Sequence, residues 1–166
     1  QFDLVLIATR GLELAAHQPE NTLRSVSSAP SKSHSALNTI GPALLLKHLP
    51  PLLPKDRSST IAILSARVGS IGDNRLGGWI SYRAAKAALN QVIRTASIEL
   101  TRSHPHSICV ALHPGTVRTA LTQKYVGAHP SVAPSEAASN IYDVLEQFSP
   151  KNTGGFFDWR GDPIEW

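Results

Sequence analysis

The sequence contains no methionine and only one cysteine, Cys109. A single thiol excludes an internal disulfide, so the expected compartment is reducing and intracellular, cytoplasm or organelle interior. Aromatic residues make up 6% of the chain, too sparse for a base-stacking platform. Phe156, Phe157, Trp159 and Trp166 read instead as core and edge packing. Basic residues form no run, and a net charge of +4 spread over the chain reads as solvated surface, not a nucleic-acid footprint. No apolar stretch reaches the roughly 18–20 residues that span a bilayer, so a soluble protein is expected. Signal and transit signatures are lacking too. The chain opens at Gln1 directly into residues of interior type, which suggests a piece of a longer polypeptide.

What is present fits one globular domain of 166 residues. Continuous apolar runs at residues 3–8, 59–64 and 107–112, with an aromatic run at 155–159, read as strands. Runs without polar alternation indicate strands buried on both faces, as in a parallel sheet. Residues 36–53 are largely apolar and predict a buried helix to about His48, stopped by Pro50 and Pro51. Residues 79–102 lack Gly and Pro and predict the strongest helix. Residues 137–148 predict an amphipathic one, with Pro134 and Ser135 as its cap. Residues 12–35 are polar, hold Pro19 and Pro30, and read as loop with at most a short helix. Strand and helix alternate throughout, so the expected fold class is α/β, a doubly wound parallel sheet.

Tyr82 and Lys86 are four residues apart on the strongest helix, which places both on one face. A free phenol has a pKa of about 10 and is a poor proton donor at neutral pH. A nearby ammonium favours the phenolate and lowers that value. Such a tyrosine can protonate a carbonyl oxygen, or deprotonate an alcohol, while hydride moves at the adjacent carbon. The seven histidines show no metal-ligand spacing; His104 and His106, around Pro105, read as surface residues.

The segment SYRAAKAALNQ, residues 81–91, closely resembles the catalytic helix of the short-chain dehydrogenase/reductase family. Other family marks follow in the right order: NTIGP from Asn38, LSARVGSIGDNRLGGW over 64–79, and HPGTVRT over 113–119. The ending FFDWRGDPIEW resembles that of the C-factor-like members. This resemblance implies the C-terminal part of a Rossmann-type sheet, family strands four to seven, as a single partial domain over residues 1–166. It implies an NAD- or NADP-dependent oxidoreductase acting on a small carbonyl or secondary alcohol. Tyr82 would be the acid/base, Lys86 its acidifier and a partner of the nicotinamide ribose, and Asn38 the residue that kinks its helix and holds a relay water. Pro114, Gly115 and Thr119 would lie along the nicotinamide half of the cofactor, and Gly11 near the adenine ribose.

The departures are equally specific. The glycine-rich turn that binds the pyrophosphate has no counterpart here, so cofactor binding by these residues alone is not expected. Where the family has Asn-Ala-Gly after its fourth strand, this sequence reads Ala8-Thr9-Arg10-Gly11. Where most members end the next strand in Ser-Ser, it has Ser65-Ala66. Either Ser65 or Ser70 would have to polarise the carbonyl, and neither is preferred. Substrate choice would rest with residues 121–133. The rival reading is a non-catalytic structural or interaction subunit. Under either, a missing N-terminal segment or a partner subunit is expected over the first strand, with homo-oligomers an open option.

Overall fold

The apolar runs become a four-stranded, all-parallel sheet: β1 (Leu4–Ile7), β2 (Ser59–Leu64), β3 (Ser107–His113) and β4 (Phe156–Asp158), in that spatial order. This is a computed structural model, and it describes residues 1–14, 19–119, 122 and 130–166. Register pairs Ile7 with Ile63, Leu64 with Leu112 and His113 with Asp158, so the C-terminal ends of the strands share one edge. Alternation along each strand then divides the core. Ile61, Ile63, Cys109 and Ala111 face α2 (Gly41–Lys47) and α3 (Ile80–Ser103), meeting Leu46, Leu89 and Ile93. Ala62, Val110 and Leu112 face α4 (Pro134–Gln147), meeting Ile141, Val144 and Leu145. Leu89 and Ile93 are fully buried one turn apart. Each contributes about 1.5–3 kcal/mol by leaving water, far more than any surface pair on α3. Because the strand order is monotonic, the β3–β4 connection, carrying its helix on the opposite face, has the hand opposite to the other two.

Two local expectations are corrected, those for Pro134 and His104. The short helix allowed for within residues 12–35 is α1 (Ser28–Ser35), and it runs on through a π-helical turn (Ala36–Ile40) into α2. Pro30 is tolerated because it lies in the first turn, where backbone N–H groups lack intrahelical partners anyway. Pro134 does not cap α4; it is the first residue of the helix, after an extended Ala133. His104 is not on the surface. It closes α3, its N–H bonded to the Leu100 carbonyl, and is buried under the turn into β3.

Part of the exposed apolar surface lies on β1. Leu4 and Leu6 remain 41% and 45% exposed on a strand paired along one side only. They border a hollow of about 440 Å³, with Ala8, Leu64, Ile141 and Leu145 opposite. An apolar strand with unpaired backbone groups is a template for further pairing. Replacing Leu4 and Leu6 together by serine is therefore expected to reduce self-association of the isolated 166-residue chain in light scattering. Undiminished association would place the adhesive surface elsewhere.

Candidate active site

Residues following β1, β2 and β3 meet at the C-terminal edge of the sheet, where open α/β sheets hold their ligands. A pocket of about 470 Å³ opens there, bordered by Arg10, Ala66, Trp79, Tyr82, His113 and Gly115. The N-terminal half of α3 forms one wall. Its entry is unusual: Trp79, directly before the helix, adopts left-handed backbone at φ 51°, a conformation that costs a non-glycine residue energy and clusters at functional sites. No side chain of its own caps this helix. Glu20, from the loop before α1, does so instead: its carboxylate accepts the Ser81 N–H at 3.2 Å and the Ser81 hydroxyl. A carboxylate here is favoured by the helix dipole.

One turn into the helix, Tyr82 and Lys86 are 1% and 0% exposed. The Tyr82 hydroxyl accepts a hydrogen bond from Arg10 Nε at 3.2 Å. Its ring meets His34 of α1 edge-on at 5.6 Å and Trp79 at 6.4 Å. Burial raises the phenol above its ordinary pKa, and the Arg10 guanidinium opposes that rise. Lys86 donates to the Leu64 carbonyl at the end of β2, at 3.0 Å, and its Nζ is 6.0 Å from the centre of the Tyr82 ring. Desolvation, with Arg10 nearby, pushes the ammonium down to about 7. Gly69 makes room for this arrangement, since a Cβ there would come within 2.8 Å of Lys86 Cβ.

Asn38, fully buried in the π-helical turn, grips Gly11 from both sides. Its Oδ1 accepts the Gly11 N–H at 3.2 Å and its Nδ2 donates to the Gly11 carbonyl at 2.9 Å. His34 Nδ1 is 3.4 Å from the same Nδ2. Gly11 thus anchors the loop that carries Arg10 to Tyr82. His34, held below its ordinary pKa mainly by burial, extends this chain of polar groups to the tyrosine's edge. Arg10, Glu20 and His34 are the site residues that sequence reasoning missed. Only the Ala8–Gly11 departure signalled one of them.

Neither candidate serine lines the pocket. Ser65 is turned away by strand alternation and donates to Asn90 Oδ1 at 2.6 Å. Ser70 accepts the Asp73 N–H at 3.0 Å within the following loop. The pocket wall belongs to Ala66, packed against Tyr82 and Leu12. In the 113–119 segment the three cofactor candidates divide. Gly115 borders the Tyr82 pocket, whereas Pro114 and Thr119 border the hollow beside β1; Arg10 and Thr122 border both. Gly115, at φ +73°, also leaves room for Trp159, whose Cδ1 a Cβ would approach to 2.9 Å. His113 is kept neutral by burial and by Arg10 and Arg67, its pKa pushed down to about 4. Of the expected specificity segment, residues 121 and 123–129 lie outside the described residues.

This donor set suits one half of a dinucleotide. Of the groups that would meet a ribose and nicotinamide ring, the Tyr82 hydroxyl and the Gly115 turn border one pocket, Thr119 borders the hollow beside β1, and the Lys86 amine is bonded to the Leu64 carbonyl. The glycine pair that opens α3, Gly77-Gly78, meets the Glu20 carboxylate at the helix start and offers no free anion site for a pyrophosphate.

No protein-family model matches the chain. It is similar to 1-hydroxy-2-glutathionyl-2-methyl-3-butene dehydrogenase of Rhodococcus sp. (strain AD45), 34% identical over 130 residues, covering 78% of this chain and 56% of that protein. It is also similar to the C-signal of Myxococcus xanthus, 30% identical over 131 residues, covering 78% and 75%. The chain therefore spans little more than half the length of the first of these. Among solved structures it resembles the NADPH-bound carbonyl reductase from chicken fatty liver, with a TM-score of 0.78, 30% identity, and coverage of 95% and 63%. The carbonyl reductase Sniffer of D. melanogaster gives 0.78, 25%, and coverage of 97% and 66%.

Two predictions follow from the buried polar groups. Ser65→Ala removes the donor to a buried amide oxygen and is expected to cost about 1–3 kcal/mol in denaturant unfolding. It should leave any turnover nearly unchanged; a large loss of rate would show that Ser65 reaches substrate. Lys86 has a folded pKa of about 7, below its unfolded value, so between pH 7 and 9 the unfolded chain binds the extra proton and stability rises with pH. Lys86→Met is expected to stabilise the fold at pH 7 and flatten that rise. An unchanged slope in urea titrations at pH 7, 8 and 9 would mean that the amine stays charged in the folded state.

Proposed function

Because the chain belongs to the short-chain dehydrogenase/reductase family, we propose that it carries the proton-transfer half of an NAD(P)-dependent oxidoreductase site, interconverting a carbonyl and a secondary alcohol. The observation that supports this most is the convergence of Tyr82, Lys86 and Asn38 at the strand ends, with Tyr82 lining an open pocket. In reduction, hydride adds to the carbonyl carbon and the Tyr82 hydroxyl gives its proton to the oxygen, leaving a phenolate; oxidation runs these steps backwards. The hydride is the chemistry that NAD or NADP supplies when bound. Tyr82, Lys86, Gly115, Pro114 and Thr119 would hold its nicotinamide side, with Gly11 at the end of β1. Asn38 and His34 offer polar groups along which the phenolate could regain a proton. The missing serine hydroxyl leaves Tyr82 as the main donor to the carbonyl oxygen.

Residues 1–166 read as one partial domain, family strands four to seven. The exposed face and edge of β1 suit cover by an N-terminal segment of the same polypeptide or by a partner subunit, a second copy included. No helix among the described residues is long and apolar enough to cross a membrane. A buried Cys109, its thiol pushed up to about 12 by desolvation, suits a reducing compartment as an inert side chain. The non-catalytic alternative is not favoured, since named oxidoreductases stand among the relatives. In the intact protein, Tyr82→Phe is expected to lower kcat by about 10²–10⁴-fold while the cofactor dissociation constant stays nearly constant. Wild-type turnover in that variant would remove Tyr82 from the chemistry.

A further inference from the structure

The pocket beside Tyr82 is lopsided in charge. Arg10, Arg67 and Arg83 all border it, and among the described residues no aspartate or glutamate does. One carboxylate, Asp73, answers two of these cations: it pairs with Arg67 at 2.6 Å and acts on Arg83 through space. Arg83 also donates to the carbonyls of Gly77, Gly78 and Val68, which fixes the guanidinium but leaves its charge in place. His113, from the end of β3, borders the same pocket, and its Nδ1 is buried without a hydrogen-bond partner. Asp158 acts on that ring too, but its Oδ1 accepts the N–H groups of Arg160 and Asp162. Resting on the oxidoreductase reading of this site, we propose that its substrate is an oxo-acid, with an apolar body against Val68, Leu76 and Trp79 and a carboxylate held by Arg67, Arg83 and His113.

Charge and shape both support this. A concave wall with more guanidinium than carboxylate focuses its field on an entering anion. The guanidinium fork matches a carboxylate in geometry, and it stays charged at any working pH. Buried polar atoms are nearly always bonded, so the orphaned Nδ1 of His113 marks a place where a ligand atom is wanted. Burial, with Arg10 and Arg67 beside it, keeps that ring neutral, and a neutral imidazole still has one N–H to offer an anion. The rest of the wall is apolar and oddly exposed. Leu76 borders the pocket while 92% exposed. It is followed by three residues in left-handed backbone, Gly77, Gly78 and Trp79, at φ 65°, 67° and 51°. Strain of the kind Trp79 carries is kept where a ligand uses it, and an apolar substrate body would cover both side chains.

The test compares kcat/KM in the intact protein for benzoylformate, benzoylacetate and 3-benzoylpropionate, whose carboxylates stand successively further from the ketone, each against its methyl ester. For at least one pair the acid is expected to be preferred by about 10–100-fold. Arg67→Gln should lower that acid-to-ester ratio by about tenfold, through the KM of the acid. Asp73→Asn, which frees the guanidinium, should raise it. A merely structural role of the Arg67–Asp73 pair would move the ratio the same way in both variants. Equal preference within every pair overturns the proposal, as does a ratio that Arg67→Gln leaves unmoved. Should Arg67→Gln fold poorly, Asp73→Asn decides alone, and a ratio that fails to rise there overturns it. Cofactor phosphate is the other anion these cations suit. If Arg67→Gln weakens NADPH binding in calorimetry and spares the ratio, the cations serve the cofactor and the proposal fails. Turnover of the esters without any preference for the acids removes this inference and leaves the oxidoreductase reading intact. If nothing turns over, yet 3-benzoylpropionate binds in calorimetry, its ester does not, and Arg67→Gln abolishes the difference, the anion site stands and the oxidoreductase reading fails. Neither turnover nor binding of any of the acids overturns the proposal.

Discussion

The arrangement depends on burying a phenol and an amine together, four residues apart, on one helix. Burial works against both groups: it raises the phenol and lowers the amine. Each therefore needs a fixed polar partner, and the partners come from strand ends. Leu64, the last residue of β2, supplies a carbonyl to Lys86, and Arg10, three residues beyond β1, supplies a donor to Tyr82. The parallel pairing of β1 with β2, Ile7 opposite Ile63, brings those two ends to the same level. Strand register thereby becomes part of the site's chemistry.

The second constraint is the π-helical turn. One extra residue in a helical turn would ordinarily be a defect, yet such turns recur at functional sites. Here it coincides with Asn38, whose amide makes two bonds to Gly11 that a regular helix side chain would have to find elsewhere. Thr39, the next residue, donates to the Ala85 carbonyl at 2.7 Å, so the same turn also grips α3 between Tyr82 and Lys86. The turn thus ties three elements at the point where proton transfer is proposed. Together with the Glu20 carboxylate at the helix start, it fixes α3 from both sides of Tyr82.

Much of this was legible in the sequence, for identifiable reasons. β2 and β3 are continuous apolar runs because both sheet faces are covered there, and α3 is free of Gly and Pro over its whole length, so periodicity located both. The Tyr82–Lys86 spacing followed from helix geometry alone. By contrast, α1 carries four serines, a proline and a histidine, with little apolar face; it is helical through packing on α3, which local propensity does not encode. His104 was misplaced for a similar reason, since a histidine beside proline looks like loop and its burial comes from the turn beneath β3. Arg10 lies 72 residues from Tyr82, and no spacing rule joins a strand end to a helix that far along the chain.

Strand alternation also settles what Ser65-Ala66 does to the site. A strand end can present only one of two neighbours to the same side. Ser65 is committed to Asn90, and that amide in turn reaches the Gly69 carbonyl, the glycine on which Lys86 rests. Moving the serine toward the pocket would break this chain and leave a buried amide oxygen without its donor. The pocket wall is accordingly apolar at Ala66, which packs against Tyr82, and the phenol and the Arg10 guanidinium stand bonded together beside it.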